Sequence, residues 1–227
     1  LLYRSPLFQI IGDEGNGYYG TAYAIYSMIL MIATYSIPTA VSKIISGKLA
    51  LGEYRNARRV FKCAFIYVVS AGLVAGILTF AFAPVLVKEQ PNAILSLQIL
   101  APTIFLSGFL AIYRGYLQAY KTMIPTSISQ IIEQIANAVV SVLAAYLMSR
   151  PFAPGTSEHA KYGAAGSAMG TGAGVLCGII YILIAYAGRR KEIMETVESD
   201  VSSNVESYGK LFRQIVMIVT PIIIAAF

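Results

Sequence analysis

Four ionisable residues stand in or at the edge of otherwise apolar stretches: Arg4, Lys43, Arg114 and Glu133. A charge at the centre of a bilayer costs about 2.5–3.5 kcal/mol even on a lenient insertion scale, so one retained there faces a cavity or a partner. The chemistry open to these residues is electrostatic. Guanidinium and ammonium groups in a low-dielectric cavity hold an anion such as a diphosphate through strong charge-assisted hydrogen bonds. Arg4 lies eight residues before Gly12. That is about 12 Å along a helix, too deep for easy snorkelling, so Arg4 is expected to face the bundle interior. Lys43 follows Pro38 by five residues, and two roles stay open for it, a headgroup contact and a cavity contact. Arg114 and Glu133 fall on consecutive antiparallel helices, each roughly 11–15 Å from the turn between them. An ion pair is expected there ahead of substrate contact, with Arg114 still able to line an inner vestibule.

Other chemistries find little support. His159 is the only histidine, and Cys63 and Cys177 have no histidine or cysteine at ligand spacing, so neither a metal site nor histidine acid–base chemistry is expected. Asp13 and Glu14 share one turn with nothing converging on them, which argues against an enzyme, and no cofactor is implied. Gly166, Gly170, Gly172 and Gly174 follow no strand and precede no acidic ribose partner. Their spacing reads as small-xxx-small helix packing rather than a dinucleotide loop. Tyr18, Tyr19, Tyr23 and Tyr26 crowd one end of a helix, where an interfacial belt is preferred to a sugar path.

The elements that must position these residues are membrane helices. Hydrophobic residues make up 57% of the chain and charged ones 12%, against roughly 25% charged in a soluble domain. Residues 15–42, 63–87, 91–113 and 162–188 contain no charged residue or histidine, and 124–148 is broken only by Glu133. Each stretch exceeds the roughly 20 residues that cross a bilayer as a helix and is about twice a barrel strand. The expected fold class is all-α, a polytopic transmembrane helical bundle. Its first lobe covers 1–190, with the end of one helix at 1–12 and further helices at 17–46, 59–87, 92–119, 124–149 and 162–188. An amphipathic or flexible linker follows at 191–210, and a seventh helix opens a second lobe at 211–227. The first segment lacks the marks of a secretory signal, and the chain is expected to be a fragment truncated at both ends. Pro125 is expected to start a helix, whereas Pro38, Pro84 and Pro102 lie inside or near the ends of spans.

Charge orients the bundle. Lys43, Lys48, Arg55, Arg58, Arg59, Lys62, Arg114, Lys121, Arg189, Arg190, Lys191, Lys210 and Arg213 fall on one side, against Lys88, Arg150 and Lys161 on the other. By the positive-inside rule, the basic loops 47–62, 114–121 and 189–213 face the cytoplasm of a multi-pass protein of the cell membrane. The net charge of +6 then reflects contact with membrane lipids, and no nucleic-acid partner is expected.

Three segments carry a family resemblance: LLYRSPLFQIIGDEG with Arg4, IPTAVSKIISGKLALGEY with Lys43, and YRGYLQAYKTMIPTSISQIIEQ with Arg114 and Glu133. They resemble the polysaccharide-biosynthesis and stage V sporulation protein B branch of the multidrug, oligosaccharidyl-lipid and polysaccharide exporter superfamily, which is related to MurJ-type lipid II flippases. The resemblance implies a two-lobed, MATE- and MurJ-like transporter working by alternating access, of which this chain is the first lobe and a C-terminal lobe is missing. It implies an undecaprenyl-diphosphate-linked glycan as substrate. It also implies a cationic cavity to which Arg4 belongs by position, with Lys43 a looser match. The rival reading is a MATE-type drug or cation antiporter, which calls for a cavity carboxylate. Only Glu133 is placed to serve.

Overall fold

The structure, a computed structural model, describes residues 4–32, 37–200 and 206–224. Among these, the α-helices are α1 Arg4–Leu30, α2 Ile37–Ala50, α3 Tyr54–Leu86, α4 Ile94–Ala119, α5 Ile124–Ser149, α6 Ser157–Glu198 and α7 Tyr208–Ile224, with a short 3-10 turn at Pro91–Ala93. No strand occurs among the described residues. Four helices, α3 to α6, are long and apolar enough to cross a membrane. Their outward faces carry large apolar side chains, such as Ile66, Ile77 and Phe80 on α3, Ile131, Ile135 and Val139 on α5 and Ile180 and Ile184 on α6. In a hydrocarbon solvent such faces cost nothing, and helices satisfy their own backbone groups.

The sharpest local feature is Gly12. Its φ of 67° and ψ of −174° break the helical path inside α1, a conformation that a side chain would oppose. The end of the first expected helix and the start of the next therefore form one bent element. The single helix expected over 17–46 is described instead as the second part of α1 together with α2, and residues 33–36 lie outside the described residues.

The tightest helix contact is the antiparallel pair α5 and α6, and glycine makes it possible. A Cβ on Gly166 would collide with the carbonyl of Ala144. One on Gly174 would lie 2.6 Å from the Glu133 carbonyl oxygen, and one on Gly163 would strike Ile11. Close backbone approach also lets Ser141 on α5 donate to the Ser167 carbonyl on α6 at 3.0 Å. Small residues at helical spacing thus replace the hydrophobic effect, which offers no drive between helices in lipid.

The rest of the bundle closes around α4. Gly72 and Gly76 of α3 lie against Phe105 and Ala101 of α4, and Phe61, Tyr113, Tyr116 and Tyr186 join α3, α4 and α6 in one aromatic cluster. At the opposite end, the His159 ring bridges the carbonyl oxygens of Ser149 at 3.0 Å and Ile10 at 2.9 Å. The lone histidine ties the α5–α6 turn to the first part of α1. Cys63 and Cys177 are both free thiols.

Within the segment expected as an amphipathic or flexible linker, helix α6 continues to Glu198, with Ile193 and Val197 buried, and residues 201–205 lie outside the described residues. No Gly or Pro interrupts residues 191–198 of this helix. Beyond it Asp200 and Glu206 are buried, and Leu211 and Ile215 of α7 enter the core formed by α2, α3 and α4.

The seam gives a stability test. Gly166→Val overpacks the α5–α6 contact and is expected to lose about 1–3 kcal/mol or more, read as a lower thermal midpoint in detergent. Gly17→Ala, with nothing within 4 Å of the added carbon, is expected to leave the midpoint unchanged.

Candidate functional site

A cavity of about 410 Å³ opens among α1, α2, α4, α5 and α6. Its wall is polar for a membrane interior: the amides of Gln118, Gln130, Gln134 and Asn137, the hydroxyls of Tyr23, Tyr26, Thr39, Ser107, Thr126 and Thr171, and the charges of Arg114 and Glu133. Leu30, Leu110, Ala111 and Val175 complete it. The polar groups converge because α5 is amphipathic in a membrane sense. Thr126, Gln130, Glu133, Asn137 and Ser141 recur at helical spacing on one face, and Ile128, Ile131, Ile135, Val139 and Leu143 are exposed on the other.

Arg114 and Glu133 meet within this wall, with Nη2 and Oε2 2.7 Å apart. The guanidinium also donates from Nε and Nη2 to Ser129 Oγ, at 2.9 and 2.6 Å. Gly178 on α6 packs beside the pair: a Cβ there would lie in ordinary contact, 3.5 Å, with Arg114 Nη2, and 3.1 Å from Leu110 Cδ2. The hydroxyls of Thr126 and Thr171 are buried beside the cavity and have no hydrogen-bond partner among the described residues.

The other sequence-level candidates lie differently. Lys43 is exposed one helical turn beyond the cavity residue Thr39 on the same face of α2, and no ion pair holds it among the described residues. Arg4 begins α1, and its side chain lies outside the described residues. The structure therefore joins Arg114 with Glu133 and brings Lys43 to the rim. The tyrosines correct an expectation: Tyr23 and Tyr26 line the cavity rather than a membrane belt, with Tyr26 buried and 3.4 Å from Ser107 Oγ. The amides of Gln118, Gln130, Gln134 and Asn137 were missed because neutral residues add nothing to a charge count. The polar stripe of α5, read at a 3.6-residue period, would have exposed three of them.

A second charged constellation fastens the segment after α6 to the basic end. Lys48 Nζ lies 2.9 Å from Glu53 Oε2 and 2.8 Å from Glu206 Oε2, and Lys210 Nζ lies 2.7 Å from Glu206 Oε1. The Arg55 backbone N–H donates to Asp200 Oδ2 at 2.7 Å, and Arg59 donates to the Glu206 carbonyl at 2.9 Å. Lys210 and then Lys48 hold the Glu206 carboxyl below its usual range. Lys48 and Asn56 do the same for Glu53. Burial opposes the charge on Lys48, but the carboxylates of Glu206 and Glu53 outweigh it and push its pKa up.

Apolar helices around a polar, ion-paired cavity make this a multi-pass membrane protein of the helical-bundle class. The chain belongs to the polysaccharide biosynthesis protein family, which matches residues 1–225. It is 22% identical over 97% of its length to the protein named lipid II flippase MurJ of Bacillus subtilis (strain 168), covering 42% of that relative. It is 23% identical over 86% of its length to stage V sporulation protein B of the same organism, covering 38% of it. A third relative there, the uncharacterized membrane protein YabM, is 25% identical over 61% of this chain and 26% of its own length. The chain thus spans about two fifths of the first two relatives' lengths. No solved structure gives a significant match.

The ion pair is checked by a double-mutant cycle. Arg114→Ala and Glu133→Ala are each expected to lower stability, with a coupling of about 0.5–3 kcal/mol between them; additive losses would place the pair apart. The charged clasp is checked by pH. Glu53 and Glu206 have lowered pKa values, so their stabilisation is present above the unfolded carboxylate value near about 4.3 and fades as pH falls through the lower folded values. The Lys48 term, raised in the folded state, is lost only at alkaline pH. The thermal midpoints of the unaltered chain and Glu206→Gln are therefore expected to differ at neutral pH and to converge below about pH 4.

Proposed function

We propose that this chain forms the first lobe of a flippase that carries the polar headgroup of a lipid-linked glycan precursor across the cytoplasmic membrane by alternating access. One observation carries the reading: a cavity of about 410 Å³ lined by amides and hydroxyls inside a bundle whose outer faces are apolar. A headgroup of sugars and phosphate cannot enter hydrocarbon without losing its hydrogen bonds, whereas its isoprenoid tail stays in lipid. Amides and hydroxyls on the wall replace water along the path. The name of one relative, a lipid II flippase, favours the same substrate class.

The charges divide the labour in this proposal. Arg114 is already matched by Glu133, so the cavity wall is nearly neutral and suits sugar hydroxyls better than a diphosphate. The diphosphate falls to Arg4 and Lys43, of which Arg4 enters by resemblance and Lys43 stands exposed at the rim. The basic loops lie on the cytoplasmic side in this reading. An antiporter would instead need a carboxylate free to exchange a proton or cation, and Glu133 is engaged by a guanidinium.

The test is a flipping assay on the complete protein in vesicles, with lipid II beside other undecaprenyl-linked glycans. Gln134→Leu combined with Asn137→Leu is expected to slow flipping about tenfold or more, the equivalent of about 1.4 kcal/mol per decade, with membrane insertion and thermal midpoint retained. Arg4→Ala is expected to abolish flipping. Unchanged rates in both would remove the cavity from the substrate path.

A further inference from the structure

The first two turns of α3 and the groove beside them have no part in the cavity. Arg55, Arg58, Arg59 and Lys62 recur at helical spacing on one face and line a groove of about 500 Å³ walled by Val197 and Glu198 of α6 and Tyr208 of α7. Arg59 is committed: it donates to the Glu206 carbonyl and stacks 5.0 Å over the Tyr208 ring. Arg58 and Lys62 form no ion pair among the described residues. Glu198 is the single carboxylate on the wall, so the groove keeps a surplus of positive charge.

The same face of α3 does not end with its cations. One heptad on from Arg55 stands Lys62, and then Ile66, Leu73, Ile77 and Phe80 continue the stripe at steps of four, seven, four and three residues, all of them exposed. The stripe runs into a second groove of about 420 Å³, lined by Leu73, Ile77 and Phe80 of α3 and by Pro102, Phe105 and Leu106 of α4. From Lys62 to Leu73 is about 16 Å along the helix, within the roughly 20 Å that separates the headgroup layer from the bilayer midplane. A cationic groove and an apolar groove thus stand one leaflet-depth apart on one stripe.

We propose that this face of α3 is a docking site for one anionic phospholipid of the basic-side leaflet, its phosphate among Arg55, Arg58 and Lys62 and its acyl chain along Ile66 to the α3–α4 groove. Charge selects the headgroup, since a zwitterionic lipid gains little from uncompensated cations, each worth about 1 kcal/mol toward an anionic surface. The apolar groove selects a tail over a free phosphate. The α6 end and Tyr208 form one wall, so a bound lipid also bears on the clasped segment that leads to α7.

A reporter tests it, because the sequence contains no tryptophan. In the complete protein carrying Ile66→Trp, fluorescence at this site, taken as the difference from the chain without the reporter, is quenched by brominated lipid in vesicles. Brominated phosphatidylglycerol is expected to bind about fivefold or more tightly than brominated phosphatidylcholine, one factor of five matching about 1 kcal/mol. In Arg55→Gln/Arg58→Gln/Lys62→Gln the ratio is expected to fall to about one, and in Arg189→Gln/Arg190→Gln/Lys191→Gln to persist. Far-ultraviolet circular dichroism and the thermal midpoint check that both variants remain folded. A ratio near one in the unaltered reporter chain, or an equal fall in both triple variants, would overturn the site and leave only general surface charge.

Discussion

A guanidinium in a membrane interior has to be matched by the protein, because hydrocarbon offers it nothing. Arg114 meets that demand with Glu133 and Ser129, and the rest of the bundle is arranged to let it do so. The pair needs α4 and α5 to approach side by side. Once the charge is neutralised within the wall, the surrounding amides and hydroxyls can line a cavity without a net field, and the lipid-facing surfaces can remain wholly apolar.

Close packing and polarity are coupled through the same helices. The glycine seam of α6 brings its backbone against α5, and this fixes the rotation of α5 that turns Gln130, Glu133 and Asn137 inward and Ile131, Ile135 and Val139 outward. A helix free to rotate would expose either polar groups to lipid or apolar groups to the cavity.

The basic end follows a different logic. There water is near, and charges are exposed in part rather than sealed. Lys48, Glu53, Glu206 and Lys210 form a network that fastens the segment after α6 to the start of α3, so α7 packs into the core of the first helices. Ion pairs at such a boundary are partly screened by salt.

The membrane class and the all-helical fold were legible in the order of residues, because hydrocarbon imposes a length and a polarity that need no knowledge of neighbours. The three segments that resemble a transporter family were legible as well, and the pairing of Arg114 with Glu133 followed from their equal distance to one turn. Tertiary structure alone decided the rest. Helix α6 ran on past its apolar stretch because Ile193 and Val197 found a surface to bury against, which composition does not record. Asp200 and Glu206, acidic residues of the segment expected as an amphipathic or flexible linker, are held by Lys48, Arg55 and Arg59, residues about 150 positions away in sequence. The neutral amides became a cavity wall only when five helices met. A single Gln carries no signal until its neighbours across the bundle are known.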